Sequence, residues 1–263
     1  MPGIALPLRP RSFGETSRRD NWWLTPLVVF LGLGSFVVYS TWAAFQGEHY
    51  TVDGTSYLSP FYSPELWGNS EHAWFGKLPS WWPDGLPYSP ALLILWAPAG
   101  FRMTCYYYRG AYYKAFWADP TACAVGEPRK GYIGESNWPL RIQNVHRYFM
   151  YIAVVFIGML AWDAVKSYQF ADGIGIGVGS LILTVNTVLL GGYTFGCHSL
   201  RHLVGGRKDC ISESPTCQTL YKGCSNLNKR HMLWAWMSLC SVMSADVYVR
   251  LCSMGILHDV RII

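Results

Sequence analysis

Charged residues are scarce in this chain. Asp, Glu, Lys and Arg supply only 14% of its 263 residues, whereas 51% are apolar and 16% are aromatic. An average soluble domain carries roughly 25% charged residues, so a soluble fold of this composition would have trouble covering its surface. The composition excludes a disordered chain, a small disulfide scaffold and a nucleic-acid-binding protein. It predicts an integral membrane protein with polar, aromatic loops.

Several motifs that would mark other functions are also missing. The sequence has no C-x-x-C or C-x-C pair, which a membrane thiol oxidoreductase would need. It shows no internal repeat and no pair of interrupted spans, which leaves a transporter as a remote alternative. It also lacks a flavin fingerprint and a glycine-rich nucleotide-binding loop. We therefore expect no nucleotide chemistry, and no catalytic residue, on this chain itself.

Five apolar stretches are long enough to cross a bilayer, which takes about 20 mostly apolar residues. The stretches run over about residues 22–45, 90–113, 144–168, 174–203 and 232–249. Between them lie an outer loop, 47–89, and two cytoplasmic loops, 114–143 and 204–231. We predict an all-α protein in which residues 1–263 form a single domain, a bundle of five transmembrane helices.

The basic residues predict how this bundle is oriented. Lys and Arg gather before the first span and in loops 114–143 and 204–231, whereas loop 47–89 holds only Lys77. Basic loops stay in the cytoplasm, which places the N-terminus inside and the C-terminus outside. Loop 47–89 is rich in Trp and Tyr, a composition typical of the membrane interface. We expect it to cap the outer mouth of the bundle or to line an outer ligand site.

Cysteines and histidines gather at the predicted cytoplasmic ends of the spans. That side is reducing, so these cysteines are candidates for metal ligands, redox groups or inert buried thiols and not for structural disulfides. The cysteines are Cys105, Cys123, Cys197, Cys210, Cys217 and Cys224, and the histidines are His146, His198, His202 and His231. Such a gathering at one depth is typical of a metal or redox centre. Buried thiols and satisfied histidines without a metal are the structural alternative.

Residue spacing adds detail to two of the spans. In the second span, Arg102, Cys105 and Arg109 are three and four residues apart, so on one helix they would share a face directed into the bundle. In the fourth span, His198 and His202 are four residues apart and would also share a face. Two imidazoles at that spacing can bind one metal ion.

Two glycines precede the histidine pair in the fourth span. Gly192 and Gly196 have the small-xxx-small spacing that lets a neighbouring helix approach closely. We therefore predict a close helix contact beside the histidines.

Two cofactors would suit these ligands. A Rieske-type [2Fe–2S] cluster takes two thiolates on one iron and two imidazoles on the other. Side and spacing suggest Cys105, Cys123, His198 and His202, with Cys197, His146 and His231 as substitutes. Haem is the alternative cofactor. The first two spans and the outer halves of all five lack histidine, so one inner haem is possible but a two-haem bundle is not.

Several motifs together resemble a known family. They are RMTCYYYR at 102–109, NVHR at 144–147, CHSLRHLVGG at 197–206 and HMLWAW at 231–236. They are similar to the membrane-anchor, SdhC-type subunit of an actinobacterial, mycobacterial-type succinate dehydrogenase. The resemblance covers most of the chain from about residue 22 onward.

The resemblance implies a cytochrome-b-like anchor in the bacterial plasma membrane, with a membrane-embedded Rieske-type [2Fe–2S] cluster in place of the usual haems. Its partners would be a flavoprotein that oxidises succinate and an iron–sulfur subunit, both on the cytoplasmic face, with membrane lipid around the helices and a possible higher oligomer of the complex. Electrons would pass through the anchor to a quinone, with menaquinone expected. The chain would be an electron conduit and quinone site.

Quinone reduction also needs protons and groups that bind the quinone carbonyls. Near the inner side, candidates for these roles are His146, Arg147, Tyr106, His231 and Trp234. Asp163 and Asp246 lie in the outer halves of their spans, where ionisable groups mark proton or ion paths by default. For Asp246, a simple ion pair with Arg250 one turn later is the alternative.

Overall fold

A computed structural model of the chain describes residues 12–83, 88–129, 140–206 and 210–263. Its internal contacts divide the chain into two compact units. The first comprises Met1–Ser35 with Met103–Asn144, and the second Phe36–Arg102 with Val145–Ile263. The prediction of a single domain over 1–263 stays a prediction. Parts of the predicted cytoplasmic loops, 130–139 and 207–209, lie outside the described residues.

The described part of the chain is mostly helical. Four of its helical segments are long and apolar enough to cross a membrane. They contain helices α1 (Leu24–Gln46), α5 (His146–Lys166), α6 (Val178–Phe195) and α9 (His231–Ser253). Large apolar side chains on α1 point outward, such as Val38 at 71% exposure. An apolar exterior of this kind is what a lipid-facing helix requires. The first, third and fifth predicted spans are confirmed as helices.

The second predicted span, 90–113, is not one helix. It consists of α2 (Pro90–Ile94), α3 (Trp96–Met103), α4 (Tyr106–Ala111) and a π-helical turn at Tyr112–Phe116. Pro98 explains the first break, because it has no N–H to donate to the Ile94 carbonyl. A second break falls at 104–105. Arg102 and Cys105 therefore do not share a continuous helix face as predicted, and the Arg109 side chain lies outside the described part. Five spans are not confirmed.

The fourth predicted span, 174–203, also ends early. Helix α6 stops at Phe195, and a separate helix, α7 (His198–Gly205), begins after Cys197. The backbone of Cys197 is extended, with φ −65° and ψ 136°. A further helix, α8 (Pro215–Asn228), lies within the predicted loop 204–231. Histidines 198 and 202 therefore lie beyond the long helix.

In the second unit, α5, α6 and α9 pack side by side. A two-stranded hairpin, β1 (Gln169–Phe170) with β2 (Gly173–Ile174), follows α5 and precedes α6. We call this side of the unit the loop end, because the loop 47–89 packs here as well. The opposite side, where α5 and α9 begin and α6 ends, is the histidine end.

The loop 47–89 folds into the core of the loop end. Tyr57, Leu58, Phe61 and Tyr62 are at most 3% exposed. Leu58, Phe61 and Tyr62 pack with small residues of α1 and with Val242 of α9. Two isolated backbone bridges extend this packing. Thr51 pairs with Leu58 within the loop, and Thr55 pairs with Phe170 of the hairpin. The loop thus caps this end of the unit.

The first unit joins the N-terminal segment to the residues that follow α4. Backbone hydrogen bonds link Gly14 to Gly126 at 3.0 Å and Gly126 to Glu15 at 2.9 Å. The Phe30 and Phe116 rings lie 5.0 Å apart. An ion pair between Arg129 and Asp119, at 2.8 Å, lies within the same unit.

Candidate metal centre at the histidine end

Four rings form a continuous chain of contacts inside the second unit. His146, the first residue of α5, stacks on Phe101 of α3 with centroids 4.7 Å apart and planes 6° apart. Phe101 meets Tyr193 of α6 edge-on at 5.2 Å. Tyr193 stacks in turn on His231, the first residue of α9, at 5.0 Å. Three long helices and α3 thus bring two imidazoles to one aromatic cluster.

A thiol joins this cluster at the break after α6. The Cys197 Sγ atom lies 3.2 Å from Nε2 of His146, and Cys197 is only 2% exposed. Its extended backbone turns the chain out of α6 and places the sulfur against the start of α5. A buried thiol in contact with a half-buried imidazole is suitable metal-ligand chemistry.

The predicted close approach at the two glycines is confirmed. A Cβ at Gly192 would lie 2.8 Å from the Trp234 ring, and one at Gly196 would lie 3.2 Å from Nδ1 of His231. Only the missing side chains let α9 pack this closely against α6. The glycines therefore hold His231 and Trp234 against the end of α6.

Arg102 brings a positive charge to the same cluster. Its guanidinium donates to the Ala235 carbonyl at 3.1 Å and to the Ser238 hydroxyl at 2.9 Å, both on α9. The guanidinium carbon also lies 4.8 Å from the centroid of the Tyr193 ring, a cation–π contact. Arg102 is thereby fixed beside the rings and points into the unit, as predicted.

The predicted ligand set falls into two different environments. Cys105 and Cys123 belong to the first unit, and Cys105 is 2% exposed whereas Cys123 is exposed. The Cys123 carbonyl accepts a hydrogen bond from Arg18 at 3.1 Å. His198 and His202 belong to the second unit and are exposed.

The histidine pair itself is formed as predicted. The Nε2 atoms of His198 and His202 lie 2.9 Å apart on one face of α7. Partial burial, His202 and the nearby Arg201 lower the pKa of His198, so the pair avoids carrying two protons. Within the part of the chain that the structure describes, no group of three or more His, Cys, Asp or Glu side chains is arranged to hold a metal ion.

The buried donors suit a two-iron cluster better than they suit a single ion. Each iron of a Cys₂His₂ cluster takes only two protein ligands, so three donors need not converge on one point. His231 supplies a buried imidazole, His146 a half-buried one, and Cys197 a buried thiol. Of the quinone candidates, Trp234 packs at this cluster, whereas Arg147 and Tyr106 have exposed side chains.

An apolar cavity lies beside the aromatic cluster within the second unit. Its volume is about 140 Å³, and Arg102 is its one charged wall residue. Phe36 of α1, Phe156 of α5 and Leu190 of α6 are among the apolar residues around it. This volume is below the roughly 300–1,000 Å³ of a typical ligand pocket, so the space admits the edge of a flat ring or part of an isoprenoid chain and not a whole quinone.

Comparison with known proteins identifies the chain. Residues 24–255 match the family described as actinobacterial succinate dehydrogenase subunit SdhC. The chain belongs to this SdhC family. It is also 42% identical to a chain of the solved "Mycobacterium smegmatis Sdh1 complex in the apo form", with a TM-score of 0.86 and 99% of each chain covered. No curated protein matches the sequence.

Membership in the SdhC family confirms part of the interpretation from sequence. The chain is a membrane-anchor subunit of succinate dehydrogenase, and it associates with other subunits of that enzyme. Succinate oxidation itself lies on another subunit, as expected from the lack of a flavin or nucleotide motif.

At the loop end of this SdhC chain, buried acids are held by hydroxyl groups. Asp246 of α9 accepts from the Tyr39 hydroxyl at 2.6 Å and from the Ser59 hydroxyl. Its other partner is Arg250, 3.4 Å away. The ion-pair alternative for Asp246 is therefore present in the structure.

Asp163 and Glu65 also accept hydrogen bonds from hydroxyl groups. Asp163 of α5 accepts from the Ser63 hydroxyl. Glu65 is fully buried and accepts from Tyr50 at 2.9 Å and from Ser70. Sequence reasoning missed Glu65, because an acid within a polar loop carries no signal of burial.

Proposed function

We propose that this SdhC chain carries electrons from the iron–sulfur subunit of succinate dehydrogenase to menaquinone through a membrane-embedded Rieske-type [2Fe–2S] cluster. The observation that carries the proposal is the contact between the half-buried His146 and the buried Cys197, in one aromatic cluster with the buried His231 at one end of a membrane bundle. Buried donors of both ligand types in a chain of this family support a redox role. The flavoprotein and iron–sulfur subunits would dock on the cytoplasmic face.

The geometry favours a ligand set that differs from the first choice from sequence. Cys197 and His231 are buried and lie in one cluster with the half-buried His146, whereas His198, His202 and Cys123 are exposed. The second thiol stays a prediction from sequence, with Cys105 and Cys123 as candidates. We therefore propose Cys197, His146 and His231 as ligands from this cluster, with the first set as the alternative that experiment must distinguish.

The chain's own residues prepare this place for redox chemistry. When bound, a cluster with two imidazole ligands supplies a one-electron carrier of higher potential than an all-thiolate cluster. Phe101 and Tyr193 exclude water around the imidazoles. Arg102 places a fixed positive charge nearby, which favours the arrival of negative charge.

The ring contacts bear on both cofactors. A haem or a Rieske-type cluster would take His146 and His231 on one iron, and the two imidazoles are joined here through Phe101 and Tyr193. Both intervening rings would have to move aside in either case, so the spectrum decides between the two cofactors.

The quinone site is proposed at the apolar cavity beside Arg102. The cavity offers an apolar wall for part of the quinone, and the Arg102 guanidinium and the Ser40 and Thr194 hydroxyls are polar groups in that wall. His146, His231 and Trp234 flank this region, and Arg147 and Tyr106 are candidates nearer the surface. Asp163 and Asp246 remain candidates for proton transfer at the loop end.

The spectrum of the purified complex tests the cofactor directly. We expect a Rieske-type EPR signal in the reduced complex and no α-band of b haem in the optical spectrum. The matched measurement is a pyridine haemochrome assay on the same sample. Stoichiometric haem in that assay, without the EPR signal, would replace the cluster by the haem alternative.

Labelling of Cys210 tests the proposed orientation in the membrane. Cys210 is exposed, and a hydrogen bond with the Ser212 hydroxyl lowers the pKa of its thiol. A larger fraction of this thiol is therefore ionised at neutral pH than for an ordinary cysteine, which favours its labelling. A membrane-impermeant maleimide should label Cys210 in inverted vesicles but not in intact cells.

Two controls accompany this labelling. Cys224 on α8 is buried, and burial raises the pKa of its thiol, so it should stay unlabelled from either side. A Cys210→Ser chain gives the background. Labelling of Cys210 in intact cells would invert the proposed topology.

A further inference from the structure

A polar cavity opens at the loop end of the second unit. Its volume is about 720 Å³, and three segments form it, residues 50–56, 69–72 and 169–171. Hydroxyl, amide, carboxylate and imidazole groups line its wall, and none of its lining residues, all within the described ranges, is Lys or Arg. A polar space of this size holds water.

A buried carboxyl group lies directly behind this wall. Glu65 is 0% exposed, and both groups that donate to it, the Tyr50 and Ser70 hydroxyls, belong to residues that line the cavity. In the described part of the chain, no ion pair involves Glu65. This distinguishes it from Asp246, which has Arg250 as a counter-ion. A carboxyl group bonded to hydroxyls can exchange a proton through them, because a hydroxyl both donates and accepts.

The hydroxyl of Ser70 connects Glu65 to the cavity in either protonation state. Its Oγ donates to the carboxylate and accepts the backbone N–H of His72 at 3.1 Å. A serine hydroxyl can rotate and has two acceptor sites. If Glu65 holds a proton, its O–H can donate to Ser70, whose hydrogen then turns toward water in the cavity.

We propose that Glu65 is a proton-exchange site, which binds a proton and passes it to and from the water of this cavity through the Ser70 and Tyr50 hydroxyls. The step moves one proton and no electrons, so it requires no redox partner. The proposal goes beyond the cluster and the quinone, and it does not depend on either.

The titratable groups around Glu65 leave it as the group that exchanges. Burial and Glu65 raise the pKa of Tyr50, and burial raises the pKa of Tyr88 to about 12, with Glu65 adding to it, so both phenols stay neutral near pH 7. Tyr62 stacks on Tyr50 at 4.3 Å. From neighbouring elements, the other titratable groups near this wall are Asp53, Glu71 and His72 of the cavity, and Asp163 and Lys166 of α5.

Gly68 supplies a second way to disturb the carboxyl group. A Cβ at Gly68 would lie 1.5 Å from Oε1 of Glu65, so alanine there would push the carboxyl group out of its place. Gly68→Ala keeps the acid but separates it from Ser70 and Tyr50. Gly68→Ala therefore changes the position of the carboxyl group, whereas Glu65→Gln removes the carboxyl group itself.

Infrared spectroscopy of the whole complex in lipid nanodiscs tests the proposal. A pH titration should show the C=O band of a protonated carboxyl group that is lost in Glu65→Gln. The band should shift in D₂O soon after mixing, and more slowly in Ser70→Ala. Glu71→Gln, which removes an exposed acid from the same cavity, should keep the band. Succinate oxidation with an artificial acceptor should be unchanged in each variant.

Either of two results would overturn the proposal. The band could be identical in the wild type and Glu65→Gln at every pH, which would mean that Glu65 stays ionised. If Glu65→Gln fails to assemble, the wild-type complex is treated with an apolar carbodiimide, which attacks protonated carboxyl groups, and its peptides are analysed by mass spectrometry. Modification of Glu65 that increases as the pH falls supports the proposal, and its absence at acidic and neutral pH rejects it.

Discussion

Replacement of Cys197 by Ala should abolish both the Rieske-type EPR signal and quinone reduction, while succinate oxidation with an artificial acceptor continues. The Cys197 sulfur lies 3.2 Å from Nε2 of His146 and is shielded from water. The proposed cluster takes two thiolates, and the Cys197 thiolate is one of them. The expected effect is complete loss of the signal, because a cluster with three protein ligands lacks one thiolate on an iron.

Matched variants make this expectation specific. Cys240→Ala changes an exposed cysteine on α9 and should leave the signal intact. His146→Ala should behave like Cys197→Ala, whereas His198→Ala and His202→Ala should behave like the wild type. Cys197 also precedes the first turn of α7, so assembly of each variant is checked by gel filtration of the complex.

The contrary result is equally clear. Loss of the signal in His198→Ala, with retention in Cys197→Ala, would return the ligands to the set first inferred from spacing. Loss of the signal in both variants would mean that the segment from the end of α6 through α7 must be intact for the cluster to bind. Each outcome is read from the same spectrum.

The long helices could be predicted from sequence because hydropathy over about 20 residues depends on few details. Spans one, three and five agree with α1, α5 and α9 to within a few residues. The close contact at Gly192 and Gly196 was also predictable, because small residues at that spacing permit it. What hydropathy could not show was where a long apolar stretch breaks.

Those breaks decide which residues meet at the histidine end. Spacing rules assume a continuous helix, and on that assumption Cys197 points about 100° away from His198 and has no partner. The structure ends α6 at Phe195, and the extended Cys197 then reaches His146, which is 51 residues away in sequence. A contact set by one non-helical residue lies beyond any periodicity argument.

The buried acids show the same limit at the loop end. Asp163 and Asp246 were found because acids in an apolar span stand out. Glu65 was not, because its burial depends on how the loop folds back over Gly68. Long-range packing, and not local sequence, makes that carboxyl group unusual.

Replacement of Asp246 by Ala should destabilise the complex strongly. The Asp246 side chain is fully buried, and that of Arg250 is 4% exposed. Removal of one partner leaves a buried charge uncompensated, which costs about 3–5 kcal/mol. Among its described contacts, the Arg250 guanidinium would keep the Glu48 carbonyl, at 3.0 Å, the Trp42 ring and the Tyr39 hydroxyl. Thermal unfolding of the purified complex, followed by tryptophan fluorescence, measures the loss.

A double replacement separates the ion pair from a role in proton transfer. Asp246→Leu with Arg250→Met removes both charges and keeps the volume, and such exchanges are often neutral for stability. We expect the double variant to recover most of the stability that Asp246→Ala loses. If Asp246→Ala instead unfolds like the wild type but loses quinone reduction, the pair contributes little to the fold and Asp246 acts in proton transfer. If the double variant is stable and still reduces quinone, Asp246 serves the structure alone, and Asp163 remains as the proton-transfer candidate for quinone reduction at the loop end.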